Sequence, residues 1–278
     1  MSMNINWYPG HMKKTLDEIK SKQKLVDFVI EIIDSRIPIS SRNPLFDSII
    51  SKKRLVILNK SDLSDPRQNA LWVDKINCNN ERAILYNSLK NNRDLIVKES
   101  KSLMEEIIKN KEEKGINHGP LRAMIVGIPN SGKSTFINNV SGKKSAKTGN
   151  KPGITKTNQW IKINPELQLL DTPGILWPKF TEETSIHLAW TGAIKDEIID
   201  IETLAYKFVE NILSYKPEIL IERYNIDLDE DPLKVMDNIA KKRGAIMKGN
   251  EIDYTKVSNV ILDEFRKGVL GRISLERL

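Results

Sequence analysis

Cysteine is almost missing from this chain: Cys78 is the only one in 278 residues. A single thiol excludes a disulfide framework and a cysteine-based zinc finger. No apolar run reaches membrane-spanning length, and no signal-like apolar start or lipidation motif appears. The expectation is a soluble, cytoplasmic protein with no membrane partner. No internal repeat is evident. Acidic residues are outnumbered, 37 Asp and Glu against 44 Lys and Arg, leaving a net charge of +7. That balance favours a polyanionic partner such as RNA, although a basic surface is often only solvation.

What is present is a set of phosphate- and base-reading strings. Gly127-Ile-Pro-Asn-Ser-Gly-Lys-Ser134 fits the phosphate-loop pattern GxxxxGK[ST]. The apolar run Leu121–Val126 before it has strand composition, and Phe136 and Val140 after it share a helix face. Glycines at 127 and 132 allow the backbone to turn its N–H groups onto phosphate oxygens, and the helix N-terminus adds positive potential. In this reading Asn130, Ser131, Gly132, Lys133, Ser134 and Thr135 line the phosphates. Lys133 reaches the β and γ phosphates, and the Ser134 hydroxyl holds Mg²⁺. A glycine-rich turn that binds nothing is the bland alternative.

Asp171-Thr-Pro-Gly174 follows the strand-like run Leu167–Leu170. A DxxG string there suits a γ-phosphate sensor, with Asp171 toward Mg²⁺ through water and the Gly174 N–H toward the phosphate. Between the two strings lies a Gly-, Pro- and Lys-rich loop, 147–157. Thr155 in it is the candidate third Mg²⁺ ligand, with Thr157 as its competitor.

Asn59-Lys60-Ser61-Asp62 ends the apolar run Arg54–Leu58. A carboxylate at Asp62 can accept from guanine N1–H and N2–H₂, a donor pair that adenine lacks, so the string favours GTP over ATP. Asn59 can bond the base and tie loops together, and the Lys60 stem can cover the ring. A further base-contacting loop is expected after Arg82–Tyr86, at Asn87, Ser88 and Leu89. In ordinary GTPases the NKxD string follows the phosphate loop; here it precedes it. The chain therefore looks like a circularly permuted GTPase.

Longer strings carry a more specific resemblance. Trp7-Tyr-Pro-Gly-His-Met12, Asp34-Ser-Arg-Ile-Pro-Ile-Ser-Ser-Arg-Asn-Pro44, Asp171-Thr-Pro-Gly-Ile-Leu-Trp-Pro178 and Thr191-Gly-Ala-Ile-Lys195 resemble the ribosome biogenesis GTPase A family over essentially the whole chain. One departure is Leu89-Lys-Asn-Asn-Arg93, which lacks the glycines usual there. The lone cysteine weighs against permuted relatives of the small-subunit branch, which carry Cys/His metal modules.

The resemblance implies a GTPase that acts in late maturation of the large (50S) ribosomal subunit. Such a protein binds pre-50S particles in a GTP-dependent manner and is released after hydrolysis. The implied partners are GTP and GDP, the 50S subunit and its rRNA, and ribosomal proteins. The position just after DxxG is Ile175, which cannot orient the attacking water as a glutamine does. The resemblance points instead to His11 as the water-positioning group, beside Lys133, Thr155 and Gly174 in the catalytic set. Helix capping or an RNA contact are the other readings of His11. Asn130 in the phosphate loop implies a bound K⁺, against a turn-stabilising asparagine. Rival classes are an ATPase, a GTP-switched adaptor, and an RNA-binding protein with negligible turnover.

Alternating strand and helix patterns predict an α/β fold with a mostly parallel sheet. Val29–Ile33 reads as a strand, and Met12, Leu16 and Ile19 as one face of a lysine-rich helix that is either solvated or RNA-facing. Asn92–Lys114 reads as a charged helix ending near Gly115. Past Pro178 helical spacing takes over: Leu204, Phe208, Ile212 and Leu213; then Leu233, Met236, Ile239 and Ala240 after an Asp231-Pro232 start; then Tyr254, Val257, Ile261 and Phe265 with Gly268 as a stop. The expectation is a GTPase domain over 1–178 and an all-α domain over 179–278. Lys241-Lys-Arg243, Lys248, Arg266, Lys267 and Arg272 would make the second domain an RNA-docking surface, or decorate an ordinary helical cap.

Overall fold

The computed structural model describes residues 10–78, 80–90, 92–117, 119–142, 160–194 and 200–278, with side chains from Lys14 onward. Among them the chain divides into two units: residues up to Thr181 together with Ser274–Leu278, and Glu182–Ile273. The second boundary departs from the sequence reading. The last five residues belong with the first unit, because Ser274, Leu275 and Glu276 bond its loops.

Six strands form the first unit's sheet: β1 (Phe28–Asp34), β2 (Arg54–Asn59), β3 (Glu81–Leu85), β4 (Leu121–Gly127), β5 (Trp160–Asn164) and β6 (Leu167–Asp171). Their order is β3-β2-β1-β4-β6-β5, and only β5 runs antiparallel. Near-continuous burial along β1 and β2 fits strands covered on both faces. On one face Phe28, Ile30 and Ile32 pack with Ile96 and Met104 of α4 (Arg93–Glu113) and Phe136 and Val140 of α5 (Lys133–Ser141). On the other, Val29 and Met124 pack with Ile19 of α1 (Gly10–Lys22) and Phe46 of α2 (Leu45–Ile49). Ile33 and Leu58 pack with Trp72 of α3 (Pro66–Ile76).

The parallel arrangement places the C-terminal ends of β1, β2, β4 and β6 on one edge. Asp34 pairs in register with Asn59, Ile32 with Gly127, and Ile125 with Asp171. Chain order reverses between β1 and β4, the switch point outside which open α/β sheets bind ligands.

The second unit holds α6 (Glu182–Trp190), α7 (Ile201–Tyr215), α8 (Glu218–Tyr224), α9 (Pro232–Arg243) and α10 (Tyr254–Arg266). Asp200, Asp231 and Asp253 cap the starts of α7, α9 and α10, each supplying an acceptor to an otherwise orphaned N–H. The Phe208 ring meets Phe265 at a tilt, 4.8 Å between centres, and Trp190 edge-on at 5.6 Å. Leu233 is exposed, contrary to expectation; Val235 takes its place beside Met236 and Ile239. Val269 N–H donates to Glu264 O at 2.8 Å as the chain turns at Gly268, whose φ is +74°. That wrap satisfies carbonyls at the end of α10.

Candidate nucleotide site

The phosphate loop runs from the end of β4 into α5. Gly127 has φ +154°, and a Cβ there would sit 2.6 Å from Ile32 O of β1. Gly132 caps α5 at φ +97°, and an added Cβ would collide with the Asn59 side chain. Glycine is required at both points, once by the strand and once by Asn59. Asn130, at φ +58°, supplies the intervening left-handed turn, which asparagine tolerates.

Asn59 is the hinge between three loops. Its Nδ2 donates to Ser131 O at 2.9 Å, and its Oδ1 accepts from the Ser88 hydroxyl at 2.7 Å. The phosphate loop, the end of β2 and the loop after β3 are thereby locked together. In that third loop Asn87 Oδ1 accepts from Leu89 N–H at 2.8 Å. This is an Asx turn, and Leu89 after it is 82 % exposed.

Lys60 Nζ donates to Asn130 O at 2.9 Å and to Asp34 Oδ2 at 2.8 Å. Arg36 forks onto the same carboxylate, Nε to Oδ1 at 2.9 Å and Nη2 to Oδ2 at 2.8 Å. Burial alone would raise the Asp34 pKa; Arg36 and Lys60 outweigh it and hold the carboxyl far below the usual carboxylate range. Burial pushes Lys60 down, opposed by Asp34. The Asp34–Arg36 pair was not singled out from sequence beyond its place in a family string. Its only sequence signal is two opposite charges at a strand end that is otherwise apolar. Asp62 is half-buried on the same loop.

Asp171 ends β6, and the Thr172 hydroxyl donates to Ile125 O at 2.5 Å, tying the DxxG segment to β4. At Gly174 a Cβ would lie 2.9 Å from Lys133 Nζ and 3.0 Å from Pro129 N. The segment thus passes directly over the phosphate loop, and a side chain at 174 would crowd the Pro129 backbone and displace the Lys133 ammonium. Burial raises the Asp171 pKa against the pull of Lys133, and burial lowers that of Lys133 against the pull of Asp171. Each charge is short of a partner that a cation and a phosphate would supply. Ser134 sits in the first turn of α5. One hydroxyl and one carboxylate suit Mg²⁺, which keeps waters and takes its other ligands from phosphates. Among the described residues no group of three or more His, Cys, Asp or Glu side chains is gathered, so an all-protein metal cage has no counterpart there.

Ile175 is buried in the apolar cluster that contains Ile19 of α1, and its N–H donates to Gly127 O at 3.4 Å. It packs rather than faces solvent. His11 lies in the first turn of α1, with its side chain outside the described residues; Thr155 and Thr157 lie outside them altogether. The structure brings together Asn59, Lys60, Ser88, Asn130, Ser131, Gly132, Lys133, Asp171 and Gly174.

In the second unit two expected RNA-facing cations are already engaged. Arg266 donates to Trp190 O at 3.0 Å and Ala189 O at 2.8 Å, closing the end of α6. Arg243 lies 5.0 Å from the Tyr224 ring centre and 3.3 Å from Glu264. Both hold the bundle. Lys241, Lys242, Lys248 and Arg272 are exposed, and Lys267 pairs with Asp263 at 2.6 Å.

Comparison with known proteins gives the same picture. A family model described as 50S ribosome-binding GTPase matches residues 122–236. Ribosome biogenesis GTPase A of Bacillus cereus is 45 % identical over 99 % of this chain and 94 % of its own length. The probable ribosome biogenesis GTPase A of Mycoplasma genitalium is 32 % identical over 99 % of this chain and 97 % of its own. The solved structure of GNP-bound YlqF from T. maritima superposes with a TM-score of 0.65 at 26 % identity, covering 95 % of this chain and 98 % of that one. A GDP-bound YlqF structure gives 0.66 at 26 % identity, covering 94 % and 98 %.

Proposed function

We propose a task on the large ribosomal subunit for this chain, which belongs to the ribosome biogenesis GTPase A family and is a GTPase with a circularly permuted P-loop domain. It binds pre-50S particles in its GTP form late in maturation and leaves after hydrolysis. The observation that carries this reading is the convergence of the base loop, phosphate loop and DxxG segment on one sheet edge, in a chain similar to ribosome biogenesis GTPases along its whole length.

The proposed roles follow the motifs to which the residues belong. Asp62 reads the guanine edge, with Asn87 and Ser88 beside it. Lys60 closes over the phosphate loop. Backbone N–H groups of Ser131 to Thr135 and the Lys133 ammonium meet the phosphates. Ser134, Asp171 and Thr155 serve Mg²⁺, the metal that GTPases generally use, and it would neutralise charge developing on the γ-phosphate. Asn130 is the protein's ligand to K⁺. Gly174 senses the γ-phosphate, and His11 positions the attacking water. The second unit, 182–273, docks on rRNA through its exposed lysines, with ribosomal proteins as further contacts, and the protein works in the cytoplasm.

Co-sedimentation with ribosomal subunits under a GTP analogue, GDP and no nucleotide tests this. Pelleting with the large subunit should be strongest with the analogue and weakest with GDP. Equal pelleting in all three conditions would leave a GTPase whose nucleotide state does not govern ribosome binding.

A further inference from the structure

The C-terminal segment Ser274–Leu278 is packed into the first unit in a way that no nucleotide-site motif explains. Glu276 is nearly buried, and its carboxylate accepts two successive backbone N–H groups, from Ile39 at 2.5 Å and Ser40 at 2.9 Å. Successive N–H groups aimed at one anion make a nest, here filled from within the chain. Leu275 and Glu276 donate their own N–H groups to Arg36 O at 2.9 and 3.3 Å. The loop so held carries Arg36, whose fork fixes Asp34, which in turn accepts from Lys60 Nζ.

The same segment grips the far side of the base loop. Asp65 N–H donates to the buried Ser274 hydroxyl at 3.1 Å, three residues after Asp62. Trp72 Nε1 donates to Glu276 O at 3.2 Å, and Leu278 N–H donates to Gln68 Oε1 at 2.8 Å, both on α3. Lys60 itself is held at φ +57°, a left-handed conformation that a non-glycine residue adopts only when its surroundings impose it.

We propose that the C-terminal tail, chiefly through Glu276 and Ser274, is a positioning element of the guanine-reading loop. It fixes Lys60 from one flank and Asp65 from the other, and so sets where the Asp62 carboxylate stands. This rests on the assignment of residues 59–62 as the base-reading loop. Glu276 touches no part of the nucleotide in this account; it acts through the loop that carries Arg36.

The test compares guanosine and inosine diphosphates, since inosine lacks the 2-amino group that Asp62 accepts from. Dissociation of fluorescent GDP and IDP derivatives is measured on the full chain for wild type, Glu276→Ala and Ser274→Ala, with Tm recorded for each. Glu276→Ala should release GDP roughly tenfold faster, the scale of lost hydrogen bonds to a charged acceptor. IDP release should change less, so the preference for GDP narrows. Ser274→Ala, a milder change that keeps the Glu276 nest, should narrow it in the same direction. In turnover the loss should appear in KM rather than kcat. General loosening would speed both nucleotides alike; that outcome, or an unchanged GDP-to-IDP ratio in both variants, overturns the proposal. A wild-type protein that does not prefer GDP over IDP would remove the base-loop assignment itself, and the tail's role with it.

Discussion

At the scale of single residues, two of the most deeply buried charges stand beside the Asn59–Asp62 loop. Asp34 and Arg36 are almost wholly buried and paired twice over. A buried pair adds little net stability while intact, but losing one partner strands the other and costs about 3–5 kcal/mol. Asp34→Ala should therefore lower stability by roughly that amount in urea unfolding, and it should free Lys60 Nζ from one of its two acceptors. The pH dependence has a definite sign. The folded-state pKa of Asp34 is depressed below its ordinary 3.8. Its contribution is thus fully present above that value and lost as pH falls toward the folded pKa. The stability gap between wild type and Asp34→Asn should be constant near neutrality and close below about pH 4. A gap that instead widened in acid would mean the carboxyl is not held ionised by Arg36 and Lys60.

At the scale of elements, legibility followed locality. β1, β2, β4 and β6 could be read because each is an apolar run that ends in a recognisable string. α10 could be read because Val257, Ile261 and Phe265 keep one buried face. β5 was missed although Trp160-Ile-Lys-Ile-Asn164 alternates exposed and buried positions; a Thr- and Gly-rich stretch leads into it and masks the change. α3 was missed although Asp65 caps it and Pro66 occupies its first turn. The tail was unreadable, since Ser-Leu-Glu-Arg-Leu has no local signature and its partners lie more than 200 positions away.

The basic turn of α9 shows the same limit. Charge could be read, but not which cations the bundle had claimed. The double substitution Lys241→Ala with Lys242→Ala should weaken binding to the large subunit. It should also reduce the slope of log affinity against log salt by somewhat under ~1 unit per lost phosphate contact. Arg243→Ala should instead loosen the bundle by about 1 kcal/mol, the scale of a cation–π contact, visible as a lower Tm with the salt slope unchanged. A salt slope that responds to Arg243 and not to the two lysines would reverse these roles.

At the scale of the whole molecule, hydrolysis needs a group that aims the attacking water. Ile175 follows Gly174 but is 2 % exposed, committed to an apolar cluster with Ile19, Val26 and Met124. Neither its chemistry nor its position lets it hold water. The same cluster anchors α1 through Ile19, and His11 lies two turns earlier on that helix, about 12 Å along its axis at 1.5 Å per residue. The helix that contains His11 is therefore tied to Ile175, the residue after Gly174. That arrangement supports the positioning role proposed for His11 on the particle. His11→Ala should leave nucleotide affinity near wild type and depress turnover on the large subunit, within the roughly 10²–10⁴-fold range of positioned acid–base groups. The deficit should be smaller in free protein. Single-turnover rates with and without 50S particles, at equal bound fractions, decide the matter. Equal rates for the two proteins on the particle would assign His11 to capping or RNA contact, and the water would have to be oriented by a group outside α1.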